Sequence, residues 1–256
     1  MKIRILMLSL IGLIFFNSCS NDSNSTNSSN SPSQNLDPNT LLPKKVIING
    51  RDNPQEEIYE FFYNQNKINY IKVKSYDGGT YVYNIYFTYN GDLITQISFD
   101  DPNTTDDFNI SYKYQNNQLI QIDDSRIGSK IVYTYNSNGT ITSTDTFFDK
   151  ITNYTLNNGL ISSNLTNGDR NFTYFINSYS PYKNITGIDK ISLFPDFILF
   201  DVFLFPKNIS QSYSYEYFYT YNDILFPTSF FIQQFSPIYP TINIIKIIKN
   251  YTIIYN

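Results

Sequence analysis

The sequence predicts an all-β fold, a long antiparallel meander of repeated hairpins that is strongly curled or barrel-like. The chain of 256 residues contains 24 Tyr and 21 Phe, and these residue types favour strands. From residue 41 onward, short alternating apolar runs recur about every 19 to 26 residues, which is the length of one hairpin with its connection. Asn-Gly pairs at 90–91, 138–139, 158–159 and 167–168 interrupt these runs. An open sheet of so many strands would have to curl or close.

The chain begins with a segment typical of a cleaved signal peptide, residues 1–18. Lys2 and Arg4 precede an apolar run of 12 residues, and Ser18 stands just before Cys19, the single cysteine. A membrane-spanning helix needs about 20 residues, so a cleaved segment fits better. The end of the segment resembles the lipobox of bacterial lipoproteins, which implies that Cys19 is acylated. An ordinary signal peptide with a chance cysteine is the alternative.

Residues 19–40 are expected to form the lipidated cysteine and a disordered tether. They are nearly all Ser, Asn, Thr, Asp, Pro and Gln, and such a composition cannot bury enough apolar surface to offset the entropy of ordering. Residues 41–256 are expected to form a single β-repeat domain. The membrane is therefore one expected partner, through the lipid anchor.

The hairpin units share one pattern: a tyrosine-rich strand, a polar turn and a second strand. In one unit, Tyr86–Tyr89 is followed by Asn90-Gly91-Asp92 and then by Leu93–Ile97. Asn and Gly tolerate the positive φ that tight hairpin turns require, so this arrangement is a strong hairpin signal. Similar units begin at Tyr112, Tyr133 and Tyr154, and weaker ones begin at Phe62 and Tyr219.

One segment, residues 188–205, breaks this pattern. It is rich in apolar residues and contains Pro195, which could lie in the first turn of a helix that ends near Phe205. We therefore expect one short helical or irregular insertion near 190–205, packed against the concave side of the sheet. A buried strand is the alternative, since periodicity does not separate the two.

The chain from 41 to 256 resembles Bacteroidota lipoproteins of unknown function whose domain has a porin-like fold. The residues that carry the resemblance are Leu42-Pro43-Lys44-Lys45, the Tyr-x-Tyr-Asn…Gly-x-Ile units, Ser180–Ile185, Tyr219–Asn222 and Pro227-Thr228. The units also look like the tyrosine-rich YD repeats of Rhs proteins. The resemblance implies a fold and a location in the cell envelope, as an outer-membrane lipoprotein on either face. It implies no catalytic residue.

Composition excludes several kinds of chemistry. Histidine is absent, so Ser-His-Asp and Cys-His sites and imidazole metal ligands cannot form. The net charge of −4 argues against a nucleic-acid partner, which requires a clustered basic surface. We expect no cofactor and no metal site.

Carboxylates are the remaining chemical groups. Asp100-Asp101 and Asp106-Asp107 flank a loop that could bind Ca²⁺, but the spacing matches no calcium loop and a solvated turn is the preferred interpretation. A glycan-acting hydrolase would need two carboxylates about 5 to 10 Å apart. Glu216 lies between two tyrosines of an expected strand, where its side chain should point to water or to a wet interior. No catalytic residue is predicted.

The best ligand-binding candidate is a tyrosine stripe in which every second residue is a tyrosine. Because alternate residues of a strand share a face, its members should lie together; they are Tyr213, Tyr215, Tyr217, Tyr219 and Tyr221. Their rings could stack on a glycan or protein ligand. The alternative is a packed sheet face whose rings contact each other across strands while the hydroxyls reach water.

The sequence thus predicts a non-enzymatic, membrane-anchored binding or interaction module. A hydrolase acting on glycans with paired carboxylates is the alternative function. A pore is a third, weaker interpretation, because its strands would need a continuous apolar outer band.

Overall fold

The computed structural model describes residues 37–50, 56–76, 80–100, 107–164, 170–174, 179–192, 209–212, 215–234 and 246–256. Within these ranges the chain forms sixteen strands and one short helix, α1, at Ile188–Ile191. The strands are β1 Pro43–Gly50, β2 Glu56–Asn64, β3 Lys67–Tyr76, β4 Thr80–Asn90, β5 Leu93–Asp100, β6 Phe108–Gln115, β7 Gln118–Asp124, β8 Ser129–Tyr135, β9 Ile141–Asp145, β10 Lys150–Asn157, β11 Leu160–Asn164, β12 Arg170–Tyr174, β13 Ile209–Ser212, β14 Tyr215–Tyr221, β15 Pro227–Gln234 and β16 Lys246–Tyr255.

The strands pair in chain order, and the first pairs with the last. Each strand is antiparallel to its neighbour, and β1 also pairs with β16 through partners such as Ile48 and Tyr251. The sheet therefore closes into a barrel. The prediction of an all-β antiparallel meander, curled or barrel-like, is confirmed.

Tight turns join the strands where the sequence predicted them. The Asn-Gly pairs at 138–139 and 158–159 lie in turns between consecutive strands, and the pair at 90–91 joins the last residue of β4 to its turn. Gly139, for example, has a φ of 81°, a conformation that L-residues with a Cβ rarely adopt. The pair at 167–168 lies outside the described residues.

Alternation along the strands puts apolar side chains inside the barrel. Val46, Ile71, Ile85 and Ile122 are almost completely buried and belong to one hydrophobic cluster. The residues between such positions point outward and are mostly polar in the described strands; they include Lys72, Asn84, Gln96, Ser98, Asn109, Ser111, Lys113, Gln121, Asp123 and Thr144. A barrel that faces lipid has the reverse arrangement, with an apolar outer band. The outer face that is described thus does not fit a pore.

We call residues 179–192 the plug segment, because four of its side chains join the core of the barrel. Tyr182, Ile185, Ile188 and Ile191 are buried in the same cluster as the strand residues. The Thr186 N–H donates to the carbonyl of Asn66 at 2.8 Å. This contact lies at the end of the barrel where β1 begins, which we call the entry end.

The predicted insertion near 190–205 is partly described. The helix begins and ends earlier than expected, at Ile188–Ile191, and residues 193–208, including Pro195, lie outside the described ranges. None of the described helical residues belongs to a segment long and apolar enough to span a bilayer.

Gly187 allows the plug segment to approach the turn between β4 and β5. Its φ is 80°, and a Cβ placed there would lie 2.7 Å from the backbone oxygen of Asp92. Both the conformation and the close contact exclude a larger residue without movement of one backbone.

Residues before β1 are held against the barrel. Asp37 accepts a hydrogen bond from the Asn39 N–H at 2.8 Å, and the Thr40 N–H donates to the Asp37 carbonyl at 3.0 Å. The Asn184 side-chain amide donates to the carbonyl oxygens of Pro38 and Leu41, each at 2.9 Å. The last residues assigned to the tether, 37–40, thus form a turn bound to the plug segment, whereas residues 19–36 lie outside the described ranges.

Candidate functional site

Four of the five tyrosines of the predicted stripe belong to β14, and the described side chains among them point into the barrel. Tyr217 is buried and Tyr219 and Tyr221 are half-buried, whereas Phe218 and Thr220 between them are exposed. Tyr213 lies outside the described residues. Tyr215 belongs to β14, but its side chain is not described.

The rings of the stripe pack against their neighbours. Tyr219 stacks on Phe230 with the ring centroids 5.2 Å apart and on Tyr221 at 5.8 Å. Phe230 in turn stacks on Tyr251 at 4.0 Å. A ligand for the stripe would have to enter this packed interior. Binding by the stripe stays a prediction.

Tyrosines at the entry end fasten neighbouring strands to each other. Four hydroxyls donate to backbone carbonyls at the start of the preceding strand: Tyr63 to Pro43 at 2.7 Å, Tyr114 to Ile94 at 2.7 Å, Tyr135 to Leu119 at 3.0 Å, and Tyr255 to Pro227 at 2.7 Å. Buried phenols usually find such a partner. This contact gives the recurrent tyrosines of the hairpin units a structural role.

Toward the opposite end, the interior holds a carboxylate among tyrosines. The Tyr59 hydroxyl donates to Oε2 of Glu57 at 2.8 Å. Burial raises the pKa of Tyr59 and Tyr251, and the negative charge of Glu57 raises both further. Burial and Glu57 together raise the pKa of Tyr83 to about 12. These phenols therefore remain neutral at physiological pH, which does not suit them to act as nucleophiles.

The outer face carries a second group of aromatic rings, which we call the outer aromatic row. Phe62 stacks on Tyr70 with the centroids 4.3 Å apart, and Tyr70 contacts Tyr86 at 5.9 Å. The register pairs Phe62 with Tyr70 and Tyr70 with Tyr86 across β2, β3 and β4. Phe62 and Tyr86 are each 39% exposed. The row therefore presents a continuous aromatic surface to solvent.

A row of charged groups runs beside these rings, which we call the lysine row. Glu60 pairs across the strands with Lys45 on β1 and with Lys72 on β3, and it also forms an ion pair with Lys74 at 3.3 Å. Glu60 and Phe62 are two residues apart on one strand face, so the two rows lie about 7 Å apart.

A surface groove connects the two rows. It has a volume of about 460 Å³ and is lined by Lys44, Lys45, Glu60, Phe61, Phe62 and Ile254. The groove thus ends at the first ring of the outer aromatic row. Aromatic surface with a few convergent polar groups is typical of a ligand site.

Two further exposed rings lie at the opposite end of the barrel, in the turn between β9 and β10. Phe147 is 55% and Phe148 64% exposed, and their rings meet edge to face at 4.9 Å. Asp145 fixes this turn, because its Oδ1 accepts from the Phe147 N–H at 2.9 Å. These rings lie far from the groove along the chain and across the barrel.

The predicted carboxylate positions are described only in part. Asp100 and Asp107 are exposed, whereas Asp101 and Asp106 lie outside the described residues. Glu216 lies in β14, but its side chain is not described. Among the described residues there is no group of three or more potential metal ligands.

Sequence reasoning missed the outer aromatic row. The signal was present at Phe62-Tyr63, since adjacent aromatic residues in a strand place one ring on each face. The structure shows Tyr63 inside and Phe62 outside. Which ring faces solvent depends on closure of the barrel, and closure is not visible in a single unit.

No protein-family model and no curated protein matches the chain. Among solved structures, it is similar to a porin-like protein from Bacteroides uniformis, with 12% sequence identity and a TM-score of 0.45. The match covers 84% of this chain and 98% of that protein.

Proposed function

We propose that the protein is a membrane-anchored lipoprotein of the cell envelope that acts as a non-enzymatic binding module. Its binding surface is the outer aromatic row with the adjoining groove. The observation that carries this proposal is the exposure of Phe62 and Tyr86 on a described outer face that is mostly polar, together with the groove that Phe62 lines.

The burial of the interior favours an outer site. The described tyrosines of the stripe pack on Phe230 and Tyr251, and the plug segment adds four buried side chains at the entry end. The rings of the outer aromatic row, in contrast, are held against each other and partly exposed, so a ligand reaches them without opening the core. Preorganised surfaces of this kind bind with a smaller entropic loss.

A glycan is the ligand that this surface fits best. The faces of aromatic rings carry negative partial charge and attract the polarised C–H bonds of a sugar ring. The groups of the lysine row can donate hydrogen bonds to the sugar's oxygens. A protein ligand is the other candidate, since exposed aromatic rings also dominate protein interfaces.

A glycan array with the full chain tests this proposal. The variant F62S/Y70S/Y86S should lose binding, whereas F147S/F148S should keep it, although the latter also removes two exposed rings. Equal binding by all three proteins would refute the assignment of the outer aromatic row. Loss of binding in both variants would indicate only nonspecific attraction to exposed aromatics.

The anchor is tested separately at Cys19. Expression with a radiolabelled fatty acid should label the protein, and Cys19→Ser should abolish the label and release the protein from membranes. Label retained by the Cys19→Ser variant would contradict acylation at this residue.

The glycan-acting hydrolase with paired carboxylates stays the alternative proposal. It is distinguished by incubation of each bound oligosaccharide with the protein, followed by measurement of new reducing ends. The non-enzymatic proposal predicts no increase above the rate without protein, and turnover would refute it.

A further inference from the structure

We propose that the ligand of the outer aromatic row is an acidic glycan, one whose sugars carry carboxylates. The inference rests on the proposed function and adds the charge of the ligand. It follows from the juxtaposition of the stacked rings with the lysine row.

The lysine row carries more positive than negative charge. Lys74 forms an ion pair with Glu60, whereas no carboxylate of the described residues lies within ion-pair distance of Lys44, Lys45 or Lys72. Lys45 and Lys72 therefore flank Glu60 on the two neighbouring strands, and neither they nor Lys44 forms an ion pair among the described residues. The whole chain has a net charge of −4, so this surface is locally positive on a protein that is negatively charged overall.

The geometry lets one sugar use both rows. Phe62 and Tyr70 stack face to face with centroids 4.3 Å apart, and Tyr70 lies tilted against Tyr86 at 5.9 Å, so the three rings form one contact row across three strands. The lysine row runs parallel to the outer aromatic row, about 7 Å away, as set by two residues of strand rise. A carboxylate on a sugar packed against the exposed parts of these rings therefore reaches toward Lys45 or Lys72.

Lysine suits this task because its ammonium group is mobile on a long chain. It offers three rotatable donors and follows a carboxylate whose position varies along a polymer. Lys45 and Lys72 are half-buried, so their aliphatic stems lie on the sheet while their charges stay in water.

The test compares an oligogalacturonate with its methyl ester, which has the same sugar rings but carries an uncharged O–CH₃ group in place of each carboxylate charge. Isothermal titration with the full chain should show binding of the acid at least roughly tenfold tighter, as expected for two or three partly exposed charge pairs. Raising the salt from about 0.01 M to about 1 M shortens the screening length from about 30 to about 3 Å. This change should abolish the difference.

Variants separate the charge inference from the proposed function. K45Q/K72Q should remove the preference for the acid over the ester, whereas F62S/Y70S/Y86S should weaken binding of both ligands. Equal binding of acid and ester by the unmodified chain would overturn the charge inference and leave the outer site intact. Binding of neither ligand would also overturn the inference, and the glycan array would then decide the proposed function independently.

Two further anionic ligands test whether the surface recognises sugar rings or binds any negative charge. Poly-glutamate should bind at least tenfold more weakly than the oligogalacturonate, because it lacks sugar rings to stack. Vesicles containing phosphatidylglycerol should not compete with the acid when the Cys19→Ser chain is used. Equal binding of poly-glutamate, or full competition by vesicles, would show a general anion surface and refute a glycan site.

Discussion

Alkaline pH should unfold this protein abruptly, because its core contains several buried, neutral phenols. Tyr59, Tyr112, Tyr182 and Tyr251 are each at most 5% exposed, and burial is the largest cause that raises the pKa of every one of them. An unfolded tyrosine ionises near pH 10. The raised pKa values add stability that is complete below pH 10 and is lost as the pH rises toward the folded pKa values.

The magnitude follows from proton linkage. At pH 11 the ionisation of each tyrosine in the unfolded chain favours unfolding by about 1.4 kcal/mol, so four together favour it by about 6 kcal/mol. The total stability of a domain is about 5 to 15 kcal/mol. Further half-buried tyrosines with raised pKa values, such as Tyr63 and Tyr255, add to the loss. Unfolding should therefore occur between about pH 11 and 12.

Absorbance at 295 nm, which reports tyrosinate, checks this prediction together with circular dichroism. Tyrosinate should appear in two phases, an early one from exposed tyrosines and a late, steep one that coincides with loss of β-structure. A single smooth titration centred near pH 10, with the fold intact, would show that the tyrosines are accessible to solvent and would refute the packed interior.

Five substitutions test individual contacts, four of them by chemical denaturation and one by hydrogen exchange. G187A should cost at least about 2 kcal/mol more than G139A, because both have positive φ but only the former meets a backbone oxygen; equal losses would contradict the close approach of the plug segment. Y114F should lose about 1 kcal/mol with its hydrogen bond, whereas Y251F should be neutral or stabilising, since the Tyr251 hydroxyl has no hydrogen-bond partner in the described part of the chain. The reverse order would refute the assigned hydroxyl contacts. N184A removes two bonds to the segment before β1 and should raise hydrogen exchange at residues 37–42 by roughly tenfold; unchanged exchange would mean that this segment is held by other contacts.

Local features of the fold could be predicted from the sequence because they depend on neighbouring residues. The Asn-Gly turns at 90–91, 138–139 and 158–159 carry their own conformational signal, and the alternation of β14 places Tyr217, Tyr219 and Tyr221 on one face. Both depend on interactions within a few residues. Strand type and hairpin order therefore followed directly.

Closure and the choice of inner face could not be predicted in this way. Pairing of β1 with β16 joins residues such as Val46 and Ile253, and no local pattern identifies partners so distant in the chain. Both strand faces carry aromatic rings, so composition does not show which face is buried. The register also shifts between Phe62 and Tyr63 and between Thr88 and Tyr89, which simple alternation does not anticipate.

The form of the helix and the position of the outer aromatic row could not be predicted from the sequence either. The apolar run after residue 188 indicated burial but not its form, and the described helix has only four residues. The outer aromatic row needs three strands in register, Phe62 beside Tyr70 and Tyr70 beside Tyr86. Such a surface exists only in the assembled sheet.

Closure of the barrel between β1 and β16 sets which face is inside and thus places the ligand surface outside. Asn49 and Asn250 pair across this junction, and both are exposed. In a Cys19→Ser background, N49C/N250C should form a disulfide under mild oxidation as completely as V132C/T144C, a pair within the β8–β9 hairpin. Full oxidation of both pairs without loss of structure is the predicted result. A disulfide in the hairpin pair alone would show an open sheet and contradict the closed barrel.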